Sequence, residues 1–107
     1  MLKLTDKEKK YIDALKETCQ KYEMEDYCCV GSKTEQRVCL CKRDDNWEVF
    51  AVERGIEFDK TKHKECIDAC LELLKQCSYS LDEFKDASTE FKSILEKNSQ
   101  VKVLVKK

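Results

Sequence analysis

Hydrophobic residues recur along this chain at two spacings, one typical of helices and one typical of strands. Near the start the spacing is helical: Tyr11, Ile12, Leu15, Cys19 and Tyr22 fall on one stripe. Thr5 and Glu8 stand three apart just before this stripe, which is the pattern of a capping box. We therefore predict a first helix that begins after Thr5 and ends between residues 23 and 26.

The middle of the chain alternates between hydrophobic and polar or small residues, as strands do. Residues 27–30 form a short predicted strand, and residues 36–43 and 47–54 form two longer ones. In the second strand Val38 and Leu40 share one face, and Cys39 and Cys41 share the other. In the third strand Trp47, Val49 and Ala51 oppose Phe50 and Val52. Asp44-Asp45-Asn46 is turn chemistry, so these two strands should pair as an antiparallel hairpin that ends at Gly55.

Helical spacing returns from about Lys62, with a stripe formed by Cys66, Ile67, Cys70, Leu71, Leu74 and Cys77. Ser80 and Glu83 form a second capping-box pattern, which predicts a third helix that stops near Asn98. The tail 101–105 is either a further strand or a frayed end. The order is α-β-β-β-α-α(-β), and the fold class is α+β: a single domain, 1–107, with an antiparallel three- to four-stranded sheet packed against helices.

Charge and hydropathy exclude several classes of function. The 107 residues include 21 Lys and Arg and 22 Asp and Glu, a net charge of −1, so a general nucleic-acid binder is not expected. No run approaches the ~18 apolar residues of a membrane span, so we expect no membrane association. The charged residues 6–10 follow the start at once, without the pattern of an export signal, and this predicts a cytoplasmic protein.

Cysteine is the unusual feature of the composition, with eight residues in a short chain. Cys66, Cys70 and Cys77 lie on a helical stripe, which favours reduced thiols that pack in the core. A zinc site made of Cys39, Cys41, Cys66 and Cys70 is an alternative, although the chain has no Cys-x2-Cys pair. Disulfides are a third reading. We predict no metal and no cofactor.

The chain also lacks the usual combinations of catalytic residues. Its only histidine, His63, stands in a charged stretch, and nothing in the sequence singles out one of the thiols as a nucleophile paired with it. The two separated glycines cannot build a phosphate-binding loop. We therefore predict that the protein is not an enzyme.

One block of sequence resembles a known family. Residues 47–57 (WEVFAVERGIE) run into Glu-Arg-Gly, and residues 66–74 (CIDACLELL) carry an acidic-Ala-Cys-x-x-Leu-Leu pattern. Over roughly residues 36–77 this layout resembles small bacterial immunity proteins of contact-dependent-inhibition and other polymorphic toxin systems. The high cysteine content departs from that family. The resemblance implies a stoichiometric inhibitor that binds a cognate toxin domain, and many such toxins are nucleases.

Nuclease surfaces that bind substrate are basic, so clustered carboxylates on an inhibitor would speed and select the encounter. The predicted partner-binding residues are Asp44, Asp45, Trp47, Glu53, Glu57 and Asp59. Each has a simpler reading: the aspartates as turn residues, Trp47 as core, and the glutamates as solvated or ion-paired side chains. Two rival functions remain open at this stage, a cysteine-based metal-binding or redox-sensing regulator and a general protein–protein adaptor.

Overall fold

In the computed structural model three helices lie on one side of a four-stranded sheet, and the α+β class is confirmed. The structure describes residues 4–106 and the side chains of residues 4–97. A 3₁₀ turn, Glu25–Tyr27, precedes the sheet. In chain order the helices and strands are α1 Asp6–Lys21, β1 Cys28–Val30, β2 Val38–Arg43, β3 Asn46–Glu53, β4 Ile56–His63, α2 Cys66–Cys77 and α3 Leu81–Lys106.

The two capping residues predicted from the sequence, Thr5 before α1 and Ser80 before α3, both cap their helices. At α1 the Thr5 hydroxyl accepts from the Glu8 N–H at 3.1 Å, and the Glu8 carboxylate accepts from the Thr5 N–H at 3.0 Å. At α3 the Ser80 hydroxyl accepts from the Glu83 N–H at 3.1 Å. The Glu83 carboxylate reaches one residue further back than expected and accepts from the Tyr79 N–H.

The end of α3 differs from the prediction. The helix does not stop near Asn98 but continues to Lys106, so the tail 101–105 is helical rather than a strand. Neither Gly nor Pro interrupts residues 81–106. A helix supplies its own backbone hydrogen bonds, whereas a strand here would need a free sheet edge. In the described part of the chain no helix is both long and apolar enough to cross a membrane.

The sheet has the order β1-β2-β3-β4 and is mixed, which corrects the prediction of an antiparallel sheet. β2–β3 and β3–β4 are antiparallel as hairpins should be, but β1 runs parallel to β2. The connection between β1 and β2 reverses direction twice, at Gly31 (φ +96°) and at Gln36 (φ +59°). This short loop therefore does what normally takes a crossover of a dozen residues.

β4 corrects the sequence prediction, which ends the hairpin at Gly55 and has helical spacing return from about Lys62. The structure instead continues the sheet from Ile56 to His63, and α2 begins at Cys66. The strand forms the edge of the sheet, where one side of its backbone and most of its side chains meet solvent. Its residues IEFDKTKH therefore show little hydrophobic alternation. Charged residues on an edge strand also protect the sheet from pairing with other chains.

The predicted faces of β2 and β3 are confirmed. On the helix side of the sheet, Leu40, Trp47 and Val49 pack with residues of all three helices. On the outer side, Cys39, Cys41, Phe50 and Val52 form a second buried cluster. No helix contributes to this second cluster among the described residues. The loop after β1 lies against it, where the Thr34 N–H contacts the Cys39 sulfur at 3.3 Å.

Candidate functional site

The fold places the predicted partner-binding carboxylates at different points along the sheet. Asp44 and Asp45 form the exposed turn between β2 and β3, while Glu53 and Glu57 lie at the opposite end of the sheet. Asp59 lies between them, in the bulge of β4 opposite the middle of β3. The eight residues of β3 separate the two ends by roughly 23 Å at the usual rise of a strand. A single contact surface of ordinary size is therefore centred on one end or the other.

Trp47 lies in the core and is 1% exposed. Its ring packs on the helix side of the sheet, and its indole N–H donates to the Glu8 carboxylate at 3.3 Å. Trp47 is therefore a core residue, which is the simpler of the two interpretations of its sequence position. A partner cannot reach its side chain.

Glu57 is engaged within the molecule, on the outer side of the sheet. The Arg43 guanidinium donates two hydrogen bonds of 2.9 Å to its carboxylate, and Lys60 pairs with it at 2.9 Å. These hydrogen bonds lower the pKa of Glu57 to about 2. The Arg43 guanidinium also lies 4.6 Å from the centre of the Phe50 ring, so the ion pairs cover the outer cluster.

The whole outer network contains four cations and two carboxylates. Glu48 and Glu57 are shared among Lys33, Arg43, Lys60 and Lys62. The outer side is therefore locally basic, and it does not present the acidic surface that the sequence predicted for this part of the chain.

An open groove lies on the other side of the sheet, where α2 ends and leaves the strands uncovered. Its volume is about 470 Å³, and its apolar and aromatic lining includes Tyr27, Val38, Ala51 and Phe58, with Gln76 and Cys77 of α2. A second hollow of about 510 Å³ shares Val38, Ala51 and Gln76 with it and extends it along β4. We call the two together the sheet-end groove.

The floor of the sheet-end groove follows from the register of the strands. Cys28 pairs with Val38, Val38 with Ala51 and Ala51 with Phe58, so one row of side chains crosses all four strands. Phe58 at one end of this row is 39% exposed, and Tyr27 beside the other end is 61% exposed. Large aromatic side chains left open at both ends of an apolar row are typical of a binding surface.

Carboxylates line the rim of the sheet-end groove. Glu53 lines the first hollow beside Arg37, and Asp59 and Glu72 line the second beside Lys60. Glu72 accepts a hydrogen bond from the Gln76 amide at 2.9 Å. Among the side chains that the structure describes, none of these three carboxylates forms an ion pair. Their charge is therefore available to a partner, in contrast to that of Glu57.

Sequence reasoning found Glu53 and Asp59 but missed the aromatic residues beside them. The sequence analysis predicts no strand at Phe58 and places Tyr27 at the start of the first strand, so neither side chain stands out as part of a surface. The signal that was present is the pair Ile56 and Phe58, which alternate with charged residues directly after Arg54-Gly55, a turn sequence.

The sheet also divides the cysteines. Cys29, Cys39 and Cys41 belong to the outer cluster, and Cys66 and Cys70 lie in the helix-side core. The zinc site drawn from Cys39, Cys41, Cys66 and Cys70 is therefore wrong, because the sheet lies between its two halves. Within residues whose side chains are described, no group of three potential ligands is arranged to hold a metal ion.

The remaining thiols, Cys19, Cys28 and Cys77, meet behind the sheet-end groove. The sulfur atoms of Cys19 and Cys28 lie 3.6 Å apart, and the Cys77 thiol donates to the Tyr27 carbonyl at 3.8 Å. His63 lies at the other end of β4, where its Nε2 is 2.9 Å from the Thr61 hydroxyl. The single histidine is thus remote from this thiol cluster.

Comparison of the chain with known proteins finds no matching protein family, no similar curated protein and no similar solved structure. The function is therefore argued from the geometry of the surface.

Proposed function

We propose that this chain is an immunity protein that binds and neutralises a cognate bacterial toxin domain, and that the sheet-end groove is its docking surface. The observation that carries the proposal is a pair of exposed aromatics, Tyr27 and Phe58, on an apolar groove whose rim carboxylates form no ion pair with the described side chains. The block of sequence that resembles immunity proteins, residues 36–77, supplies most of this groove.

The charge of the rim selects the partner. Glu53, Asp59 and Glu72 outnumber Arg37 and Lys60, the two cations that also line the groove, and they form no ion pair among the described side chains. Glu25 and Asp26 add two carboxylates immediately before Tyr27. The occupant is a segment of the toxin that carries an apolar residue flanked by Lys or Arg, as in the substrate-binding surface of a nuclease. In the complex, the carboxylates of this chain raise the rate of association, and the contacts of its aromatic residues lengthen the lifetime of the complex.

The first test is physical association with the product of the gene directly upstream, which should encode the toxin. The two proteins are co-expressed and co-purified, and the complex is expected at a one-to-one ratio with the toxin inactive. Failure to bind that product, together with no effect on its toxicity, contradicts the proposal.

The second test locates the surface with two charge-reversal variants. Glu53→Lys/Asp59→Lys should slow association roughly tenfold and weaken its salt dependence. Asp44→Lys/Asp45→Lys changes the same charge at the far end of the sheet and serves as the control. Each pair contains one residue of nearly the same positive φ, Asp59 at +55° and Asp44 at +54°, so lysine adds similar backbone strain at these two positions. An equal effect of both pairs, or a larger one from the control, contradicts the location.

The aromatic contribution is tested through dissociation. Tyr27→Ala and Phe58→Ala should each cost about 2 kcal/mol of binding, seen mainly as faster dissociation. Tyr79→Ala is the control, because Tyr79 is 88% exposed and does not line the groove.

A further inference from the structure

Three elements bring one thiol each to the same place behind the sheet-end groove. Cys19 comes from α1, Cys28 from β1 and Cys77 from the last turn of α2. Cys19 is buried, whereas Cys28 and Cys77 are partly exposed, and Cys77 lines the groove. Small oxidants in solvent can therefore reach a thiol that already touches a second thiol.

The other cysteines lack this combination. Cys66 and Cys70 contact each other but are both buried in the core. Cys29 is also partly exposed, but its sulfur is in contact with the hydroxyls of Ser32 and Thr34. Among the described residues, Cys28 alone joins an accessible thiol to thiols on other elements: Cys19 of α1, at 3.6 Å, and Cys77 of α2.

We propose that Cys28 is a peroxide-oxidation site and that Cys19 is its resolving thiol. The Cys28 thiolate attacks hydrogen peroxide, an S–O bond forms as the O–O bond breaks, and the released hydroxide becomes water on protonation. The Cys19 sulfur then attacks the sulfenic acid of Cys28. An S–S bond forms, the S–O bond breaks, and the hydroxide leaves as water with the proton of Cys19. Two electrons pass from the two thiols to the peroxide.

The surroundings of Cys28 favour the first step. Hydrogen bonding with Cys19 and Cys77 lowers the pKa of Cys28, and the nearby Arg37 guanidinium acts in the same direction. The same hydrogen bond and burial raise the pKa of Cys19, so Cys19 keeps its proton until the second step. A thiolate at the accessible position with a thiol behind it is the arrangement that this chemistry needs.

Oxidation would also change the shape of the docking surface, a consequence that rests on the proposed function. Closing the two sulfurs from 3.6 Å to the ~2.05 Å of a disulfide draws β1 toward α1. Tyr27 directly precedes Cys28, so its ring at the rim of the groove must shift with it. We expect the oxidised protein to bind its partner more weakly than the reduced protein.

The experiment treats the reduced, purified chain with hydrogen peroxide and maps its peptides under non-reducing conditions. Trypsin places Cys19 in residues 17–21 and Cys28 with Cys29 in residues 22–33. The expected product is a cross-link between these two peptides, with the loss of two hydrogen atoms, and fragmentation should assign it to Cys28. Linkage through Cys29, linkage of Cys28 to Cys77, or a Cys28 that stays reduced while other thiols oxidise overturns the proposal.

Variants give an independent reading of the same step. Cys28→Ser should abolish the cross-link, and Cys19→Ser should leave a sulfenic acid at Cys28 that a dimedone-type reagent traps. Cys29→Ser is the matched control, because it removes the adjacent thiol and should leave the cross-link unchanged. A cross-link that survives Cys28→Ser, or is lost in Cys29→Ser while the far-ultraviolet circular dichroism stays native, contradicts the assignment. Binding measured on the reduced protein separates this test from the proposed function.

Discussion

At the turn between β3 and β4, Arg54 has φ +53° and Gly55 has φ +76°. Two central residues with positive φ define a type I′ turn, which suits the twist of a hairpin and prefers Asn-Gly. The Glu35 carboxylate accepts from the N–H groups of both residues and holds the turn against the loop after β1. Arg54 is thus a residue in an unfavourable backbone conformation that its neighbours enforce.

The turn gives the first prediction. Arg54→Asn should raise the free energy of unfolding by about 0.5 kcal/mol, because Asn tolerates positive φ better than Arg does. Gly55→Ala should lower it by about 1 kcal/mol through backbone strain alone, since a Cβ at Gly55 meets no atom within 4 Å. Urea unfolding of both variants beside the wild type measures the two effects. A loss of stability in Arg54→Asn would contradict this description of the turn.

The second prediction concerns Glu57 and acid. Its pKa is about 2 in the folded protein and about 4.5 without its cationic neighbours, so the ionised form is stabilised by folding. The stability that it contributes is complete above pH 4.5 and is lost as the pH falls toward 2. We expect this loss to be about 1 kcal/mol, because the ion pairs are partly exposed to solvent.

Glu57→Gln should therefore flatten the decline of stability between pH 4.5 and 2. Some decline should remain, because a backbone hydrogen bond from Thr5 also lowers the pKa of Glu8. Glu53→Gln is the control, since Glu53 forms no ion pair among the described side chains. Thermal unfolding at several pH values compares the three proteins, and an unchanged slope in Glu57→Gln would show that the ion pairs contribute nothing.

At the level of elements, periodicity was sufficient where one face of an element is buried. The faces of β2 and β3 and the starts of α1 and α3 follow from local pattern and capping residues. β4 did not follow, because its apolar alternation is limited to Ile56 and Phe58 and the rest of this edge strand is polar or charged. The parallel pairing of β1 depends on two chain reversals, at Gly31 and Gln36, where φ is positive. A hydrophobic pattern does not report φ angles, so the direction of β1 could not be predicted from it.

The candidate surface was predictable to the same degree. Glu53 and Asp59 were found from their charge, and the structure brings them to one groove. Charge alone did not separate them from Asp44 and Asp45, because that separation depends on which end of the sheet each turn occupies. Charge alone also did not show that Arg43 neutralises Glu57. Arg43 lies on β2 and Glu57 on β4, so their ion pair depends on how the strands are arranged in the sheet.

The third prediction tests whether the cysteines of α2 act as packing residues. Cys70 is fully buried in the helix-side core, and hydrogen bonding with Cys66 together with burial raises the pKa of its thiol. Cys70→Val should stay within about 1 kcal/mol of the wild type, whereas Cys70→Ala and Cys70→Ser should each cost about 1–2 kcal/mol. Denaturant unfolding measures the series. Equal damage from valine and serine would indicate a role of the sulfur beyond packing.

At the scale of the whole molecule, the sheet is shared by two buried clusters. Successive residues of β3 point alternately into them, with Trp47 and Val49 on the helix side and Phe50 and Val52 on the outer side. The walls of the sheet-end groove also come from separate parts of the chain, the 3₁₀ turn, three strands and α2. The groove therefore exists only when the sheet and helices are folded together.

The last prediction is that the chain unfolds in one cooperative step. Trp47 is the only tryptophan and is buried where β3 meets the helices, so its fluorescence reports on that junction. Circular dichroism at 222 nm reports mainly on the helices. The two signals should give the same midpoint in urea, because β3 cannot lose one buried cluster without exposing the other. Phe50→Ala, on the outer side, should lower both midpoints together, at a cost of about 3 kcal/mol. A helical transition that precedes the loss of Trp47 fluorescence would instead mean that the helices and the sheet fold as separate units, and the groove would then open before the molecule unfolds.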